Sequence, residues 1–158
     1  MWCIGNPLLQ DDGAGPALFR LLSESPAKGI ETVNCEATPE NYAAPLERLV
    51  RESLGEEPVL LIVADASDMG LPVGALRRLS VEDLSDVLFN AHGIPLSLIL
   101  APVLRDIELV VIGVQPAMRG LGESMSPEVS RSVALLARLL REGRWGEIEP
   151  YQENCSPR

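Results

Sequence analysis

Val59-Leu60-Leu61-Ile62-Val63-Ala64 is apolar at every position and runs directly into Asp65. A half-buried strand alternates polar and apolar residues, so an unbroken run of this length reads as a central parallel strand covered on both faces. A second such run, ELVVIGV at residues 108–114, reads the same way. Two doubly covered strands need helices on both sides, and the rest of the chain supplies them. Residues 127–142 repeat apolar side chains at helical spacing through Val129, Val133, Leu136 and Leu140. Residues 16–23 do so through Ala17, Leu18, Leu21 and Leu22, with Pro16 in a first turn where its missing N–H is harmless.

Working outward, residues 2–4 read as a short first strand and residues 30–34 as a second, entered through Gly29. A helix is expected at 45–53, and a short edge strand at 75–79, where Arg77 and Arg78 interrupt the apolar pattern. Ser80 and Asp83 resemble a loose capping box opening a helix to about Phe89, and a further helix is expected at 96–104. His92 falls in the connection between them, and the end from Gly143 reads as polar and irregular. This alternation predicts an α/β fold. No repeat, low-complexity block or linker divides the 158 residues, which are expected to form a single domain.

Composition excludes several functions. With 13 basic and 23 acidic residues the net charge is −10, a field that repels nucleic acid and anionic membrane surfaces. No apolar run approaches the ~20 residues of a membrane span, and no signal-like N-terminus is present, so a cytoplasmic protein is expected. The three cysteines, Cys3, Cys35 and Cys155, are far apart and form no paired framework. Cys3 and Cys35 lie in expected strands and read as packing residues. The single histidine rules out zinc sites that need two. Neither a phosphate-binding glycine loop nor a nucleophile elbow occurs; residues 122–126 lack the second glycine of the latter.

Candidate chemistry gathers at strand ends. Asp12 lies between the first strand and its helix, and Asp65 follows the central strand. In open α/β sheets ligand crevices form beyond the carboxyl ends of strands, so the two aspartates can converge. Alternatively, Asp12 caps a helix and Asp65 starts a turn. With His92 the two carboxylates would give a mixed oxygen and nitrogen set suited to a divalent cation.

Five segments in order, GNPLLQDDGAGP (5–16), TPEN (38–41), LLIVADASDMG (60–70), HGIPLSLI (92–99) and IGVQPAMRG (112–120), resemble the nickel-iron hydrogenase maturation proteases. The similarity is to the type that serves the hydrogenase-3, formate hydrogenlyase-like, large subunit, and it covers almost the whole chain. It implies a three-layer α/β/α sandwich with a five-stranded, mostly parallel twisted sheet, the short strand near 75–79 being antiparallel. It further implies an aspartyl-type endopeptidase, a monomer, that trims the C-terminal extension of the large-subunit precursor after nickel insertion. The metal would be nickel carried by the substrate, with no permanent organic cofactor. Asp12, Asp65 and His92 match the family's metal-contacting and catalytic positions. The chain departs from the pattern in its short first strand. It departs again at Asn34-Cys35-Glu36, where relatives commonly have Asp-Gly-Gly, and at Asn90-Ala91, where they have paired threonines. Asn34 keeps open a second reading, a noncatalytic nickel-sensing assembly factor that binds the precursor. A small-ligand-binding domain is disfavoured by the missing phosphate loops.

Overall fold

In a computed structural model of the chain, the residues described are 1–53, 58–80, 94–122 and 124–152. The helix expected after Ser80, His92 itself and Cys155 lie outside them. Five strands form one sheet in the order β2-β1-β3-β5-β4: β1 (Trp2–Ile4), β2 (Val33–Glu36), β3 (Val59–Ala66), β4 (Leu76–Leu79) and β5 (Ile107–Val114). Four are parallel neighbours and β4 alone runs antiparallel, against β5 at the edge.

The two continuous apolar runs pair in register from Val59 with Ile107 to Ala66 with Val114, and their side chains alternate between two cores. Leu61 and Val63 join Trp2, Ile4 and Val111 beneath α2 (Ala43–Glu52) and α3 (Leu96–Leu100). Ile62, Ala64 and Ala66 join Cys3, Ile112 and Val114 beneath α1 (Ala14–Glu24) and α4 (Pro127–Arg141). Burial on both faces is what keeps residues 61–64 and 111–112 of these strands apolar. Cys3 and Cys35 are buried packing residues, and burial pushes both thiols up to about 12. Among the described residues no helix is long and apolar enough to cross a membrane.

Helix placement follows from local chemistry. In α1 the helix passes so close to β1 that a Cβ on Gly15 would lie 2.0 Å from the Ile4 carbonyl oxygen. Only glycine allows that approach. Ser126 caps α4, its hydroxyl accepting from the Val129 N–H, and Pro127 occupies the first turn.

Several boundaries differ from those expected, four of them with a clear cause. The second strand forms at Val33–Glu36 rather than 30–34, because its only partner, β1, is three residues long and pairing begins where Val33 N–H meets the Met1 carbonyl. Helix α1 begins two residues early, with Pro16 still inside the first turn. Helix α3 stops at Leu100 instead of 104, since Pro102 has no N–H for the next turn and the chain continues in turns to Asp106. Finally, β3 extends through Asp65 to Ala66, so Asp65 is part of the strand and sits opposite Gly113. The polar end is not wholly irregular. It makes a 3₁₀ turn at Trp145–Glu147, and its backbone then bonds to both sides of Arg78, covering the β4 edge.

Candidate functional site

Strands β1 and β3 are neighbours, yet the chain leaves β1 toward β2 on one side and reaches β3 on the other. This is the topological switch point of the sheet, where the loops diverge and a crevice opens beyond the strand ends. The loop after β1 turns back over the strand at Gly5, whose φ of +140° and contact with the Asp12 carbonyl admit no side chain. It closes in a 3₁₀ turn, Gln10–Gly13, that carries both aspartates inward.

The neighbours Asp11 and Asp12 have different partners. Asp11 is fully buried; its Oδ2 accepts from Ala117 N–H at 2.8 Å and Met118 N–H at 3.0 Å, and its Oδ1 from Ser126 N–H at 2.6 Å. Burial alone would raise its pKa, but these N–H bonds outweigh it and hold the carboxyl below the usual carboxylate range. One side chain thereby fastens the β1 loop to the β5 loop and to the start of α4. Asp12, 1% exposed, uses Oδ2 to accept from Asn6 N–H at 2.9 Å. Its Oδ1 is buried with no hydrogen bond and faces Arg119 Nε at 3.8 Å.

Arg119 connects this carboxylate to the central strand. Its Nη2 donates to the Ala66 carbonyl at 2.7 Å, while Nε is buried and makes no hydrogen bond. Asp65, one residue before Ala66, is 2% exposed and shares strand parity with Leu61 and Val63, toward the α2 and α3 layer. The Cβ that Gly113 lacks would meet Leu79, Met69 and Ser67. Gln115, just past β5, accepts from Met69 N–H at 2.7 Å and Leu71 N–H at 3.2 Å and donates to Asp68 at 3.1 Å. That amide, aided by Gly70 N–H, lowers the pKa of Asp68. The loops after β1, β3 and β5 are thus tied together by Asp11, Arg119 and Gln115.

The sequence expectation therefore meets a mixed outcome. Asp12, in the turn that follows β1, and Asp65, near the end of the adjacent β3, are both buried, and Arg119 runs from Asp12 to the Ala66 carbonyl. His92 is outside the described residues, and among those residues no group of three metal-ligating side chains occurs. Asp12 does not cap α1: the N-cap position is Gly13, which has no side-chain bond. The roles of Asp11, Gln115 and Arg119 escaped the sequence. Two of them lie in the quoted 112–120 segment and the third adjoins Asp12, but long-range backbone bonding leaves no periodic trace.

The profile of the hydrogenase maturation protease family matches residues 35–142, a span that contains Asp65 and His92 and begins after Asp12. The hydrogenase 3 maturation protease of Escherichia coli K12 is 28% identical over 148 residues, covering 91% of this chain and 90% of that one. The solution structure of the Escherichia coli endopeptidase HycI matches with a TM-score of 0.84 at 26% identity, covering 97% and 96% of the two chains. The crystal structure of the [NiFe] hydrogenase maturation protease HycI from Thermococcus kodakarensis matches with a TM-score of 0.72 at 27% identity, covering 90% and 89%.

Proposed function

Because the chain belongs to the hydrogenase maturation proteases, a family of peptidases, we propose that it removes the C-terminal extension of a nickel-iron hydrogenase large subunit once nickel is in place. The nickel arrives as part of the substrate and is read directly by Asp12, Asp65 and His92. The observation that carries this reading is the pair of buried carboxylates at the switch point. Asp12 in particular presents a buried oxygen that no donor among the described residues satisfies, a site that suits a cation. A carboxylate kept out of water is stabilised when a positive charge is brought to it, so a metal-bearing precursor gains an interaction that a metal-free one lacks.

Once docked, a divalent ion so placed can polarise the scissile carbonyl or acidify an attacking water. Asp12 and Asp65 hold the geometry, and His92 is a further contact or a proton carrier. No permanent organic cofactor enters the scheme, and the protein acts as a cytoplasmic monomer on its precursor.

Mass spectrometry of the genome-paired precursor tests the proposal. Nickel-loaded and nickel-free forms are incubated with the wild type and with Asp12→Asn, Asp65→Asn and His92→Ala. Release of a defined C-terminal peptide only from the nickel-loaded form, and only by the wild type, is expected. An intact precursor despite demonstrated complex formation would instead identify a noncatalytic assembly factor.

A further inference from the structure

Asp12 and Arg119 are opposite charges that face each other without closing a bond. The Asp12 oxygen and the Arg119 nitrogen are both buried, both lack a hydrogen bond and stand 3.8 Å apart. That is well beyond the ~2.8 Å of a charge-assisted N–H to carboxylate bond. A structural arginine would normally close this gap, often with two parallel bonds. Here the far end of the guanidinium is held by one backbone carbonyl, that of Ala66, and the side chain is 28% exposed, so it has a way out to solvent.

The backbone beneath it has no such freedom. Ala117 and Met118 are bonded to Asp11, Gly120 N–H to Gln10, and Gly122 N–H to the Leu8 carbonyl. Any opening of the approach to Asp12 is therefore a movement of the Arg119 side chain rather than of its loop. Among the described residues, the charge that faces Asp12 Oδ1 is this guanidinium.

We propose that Arg119 is a specificity-determining residue, an internal cation that covers Asp12 until the cation carried by the substrate displaces it. The proposal rests on the reading that Asp12 contacts the substrate's metal. A metal-free precursor brings no charge to replace the guanidinium and would leave a buried carboxylate unbalanced, whereas a divalent ion replaces it with charge to spare.

The experiment titrates Ni²⁺ alone into the full-length chain by calorimetry, with thermal unfolding as the check on folding. Arg119→Gln and Arg119→Met each remove the charge, the second retaining an unbranched stem. At least one of them is expected to bind Ni²⁺ about fivefold or more tightly than the wild type. Arg119→Lys is expected within about twofold, since the charge remains. In Asp12→Asn/Arg119→Gln the gain should vanish. Equal or weaker binding by both charge-removing variants overturns the proposal, as does a gain that survives in the double variant. Cleavage separates this from the underlying reading. If Asp12→Asn still processes the nickel-loaded precursor normally, the metal-contact reading has failed; if it is inactive while Arg119→Gln binds nickel like the wild type, only the covering role has.

Discussion

Asp11→Asn is the sharpest test of how the site is held. The carboxylate accepts three backbone N–H groups, from Ala117, Met118 and Ser126, inside a fully buried environment. Each bond to a charged acceptor contributes about 1.5–3 kcal/mol net. Asparagine retains one acceptor oxygen but turns an NH₂ toward the remaining donor or donors, so a loss of roughly 2–4 kcal/mol is expected. That is a large share of the ~5–15 kcal/mol that stabilises an ordinary domain. The pH dependence has a defined sign. The folded-state pKa of Asp11 is lowered, so its contribution is complete above the unfolded value of about 3.9 and fades as pH falls through the folded value. Urea unfolding of both proteins at pH 7 and in steps below pH 4 measures this. The gap should be full at pH 7 and narrow as pH falls from about 4 toward the lowered folded value, because the unfolded wild-type chain takes up the proton first. A variant within ~0.5 kcal/mol of wild type at pH 7, or a gap of constant size down to pH 3, would refute the assignment of charged bonding to Asp11.

Three further outcomes follow from the same contacts. Gly15→Ala places a Cβ 2.0 Å from the Ile4 carbonyl and should cost about 3 kcal/mol or more, read as a lowered urea midpoint or loss of soluble protein. Gln115→Ala removes the acceptor of Met69 and Leu71 N–H, for about 2–4 kcal/mol, and should speed hydrogen exchange at those two amides above that of neighbouring β5. In a Cys155→Ser background the native protein should not react with a disulfide reagent at pH 8, because burial holds Cys3 and Cys35 near 12. Both thiols should react in denaturant; rapid native labelling would contradict their packing role.

The sheet was legible because burial on both faces writes itself into consecutive residues. Residues 59–64 and 108–114 could be little else, and in the fold they lie in strands that pair from Val59 with Ile107 through Ala66 with Val114. The boundaries that moved were set by partners distant in sequence: β2 by the three residues of β1, and the last residues of β3 by the reach of β5. That Asp12 and Asp65 lie buried beyond or near the ends of neighbouring strands was legible because topology brings those ends to one edge of the sheet. Arg119 was not. Its significance lies in a 3.8 Å gap to a residue more than a hundred positions earlier, and an arginine near a Gly-rich turn looks in the string like any solvated charge. Asp11 was hidden for a related reason. Its partners are backbone N–H groups, which every residue but proline offers, so side-chain identity at 117, 118 and 126 carries no mark of the bond.

Asn34, the departure that favours a noncatalytic reading, has a local explanation in the fold. It pairs with Cys3 on β1, so β1 stands between it and the strand that carries Asp65. Its carbonyl accepts from the Tyr42 hydroxyl at 3.1 Å, and its amide donates to Glu36 Oε1 at 3.3 Å. An aspartate in its place would set two carboxylates at that distance, and the repulsion would drive one of them toward the neutral form. An amide at 34 gives Glu36 a donor where an aspartate would give it a like charge. Glu36 itself occupies a left-handed position, φ +48°, and its carbonyl takes the Gly5 N–H, so it borders the loop that delivers Asp12. A carboxylate thus stands at the end of β2, in Glu36. On that basis the change at Asn34 supplies no physical ground for an inactive enzyme, and variants at the proposed residues Asp12, Asp65 and His92 are what separate processing from mere binding.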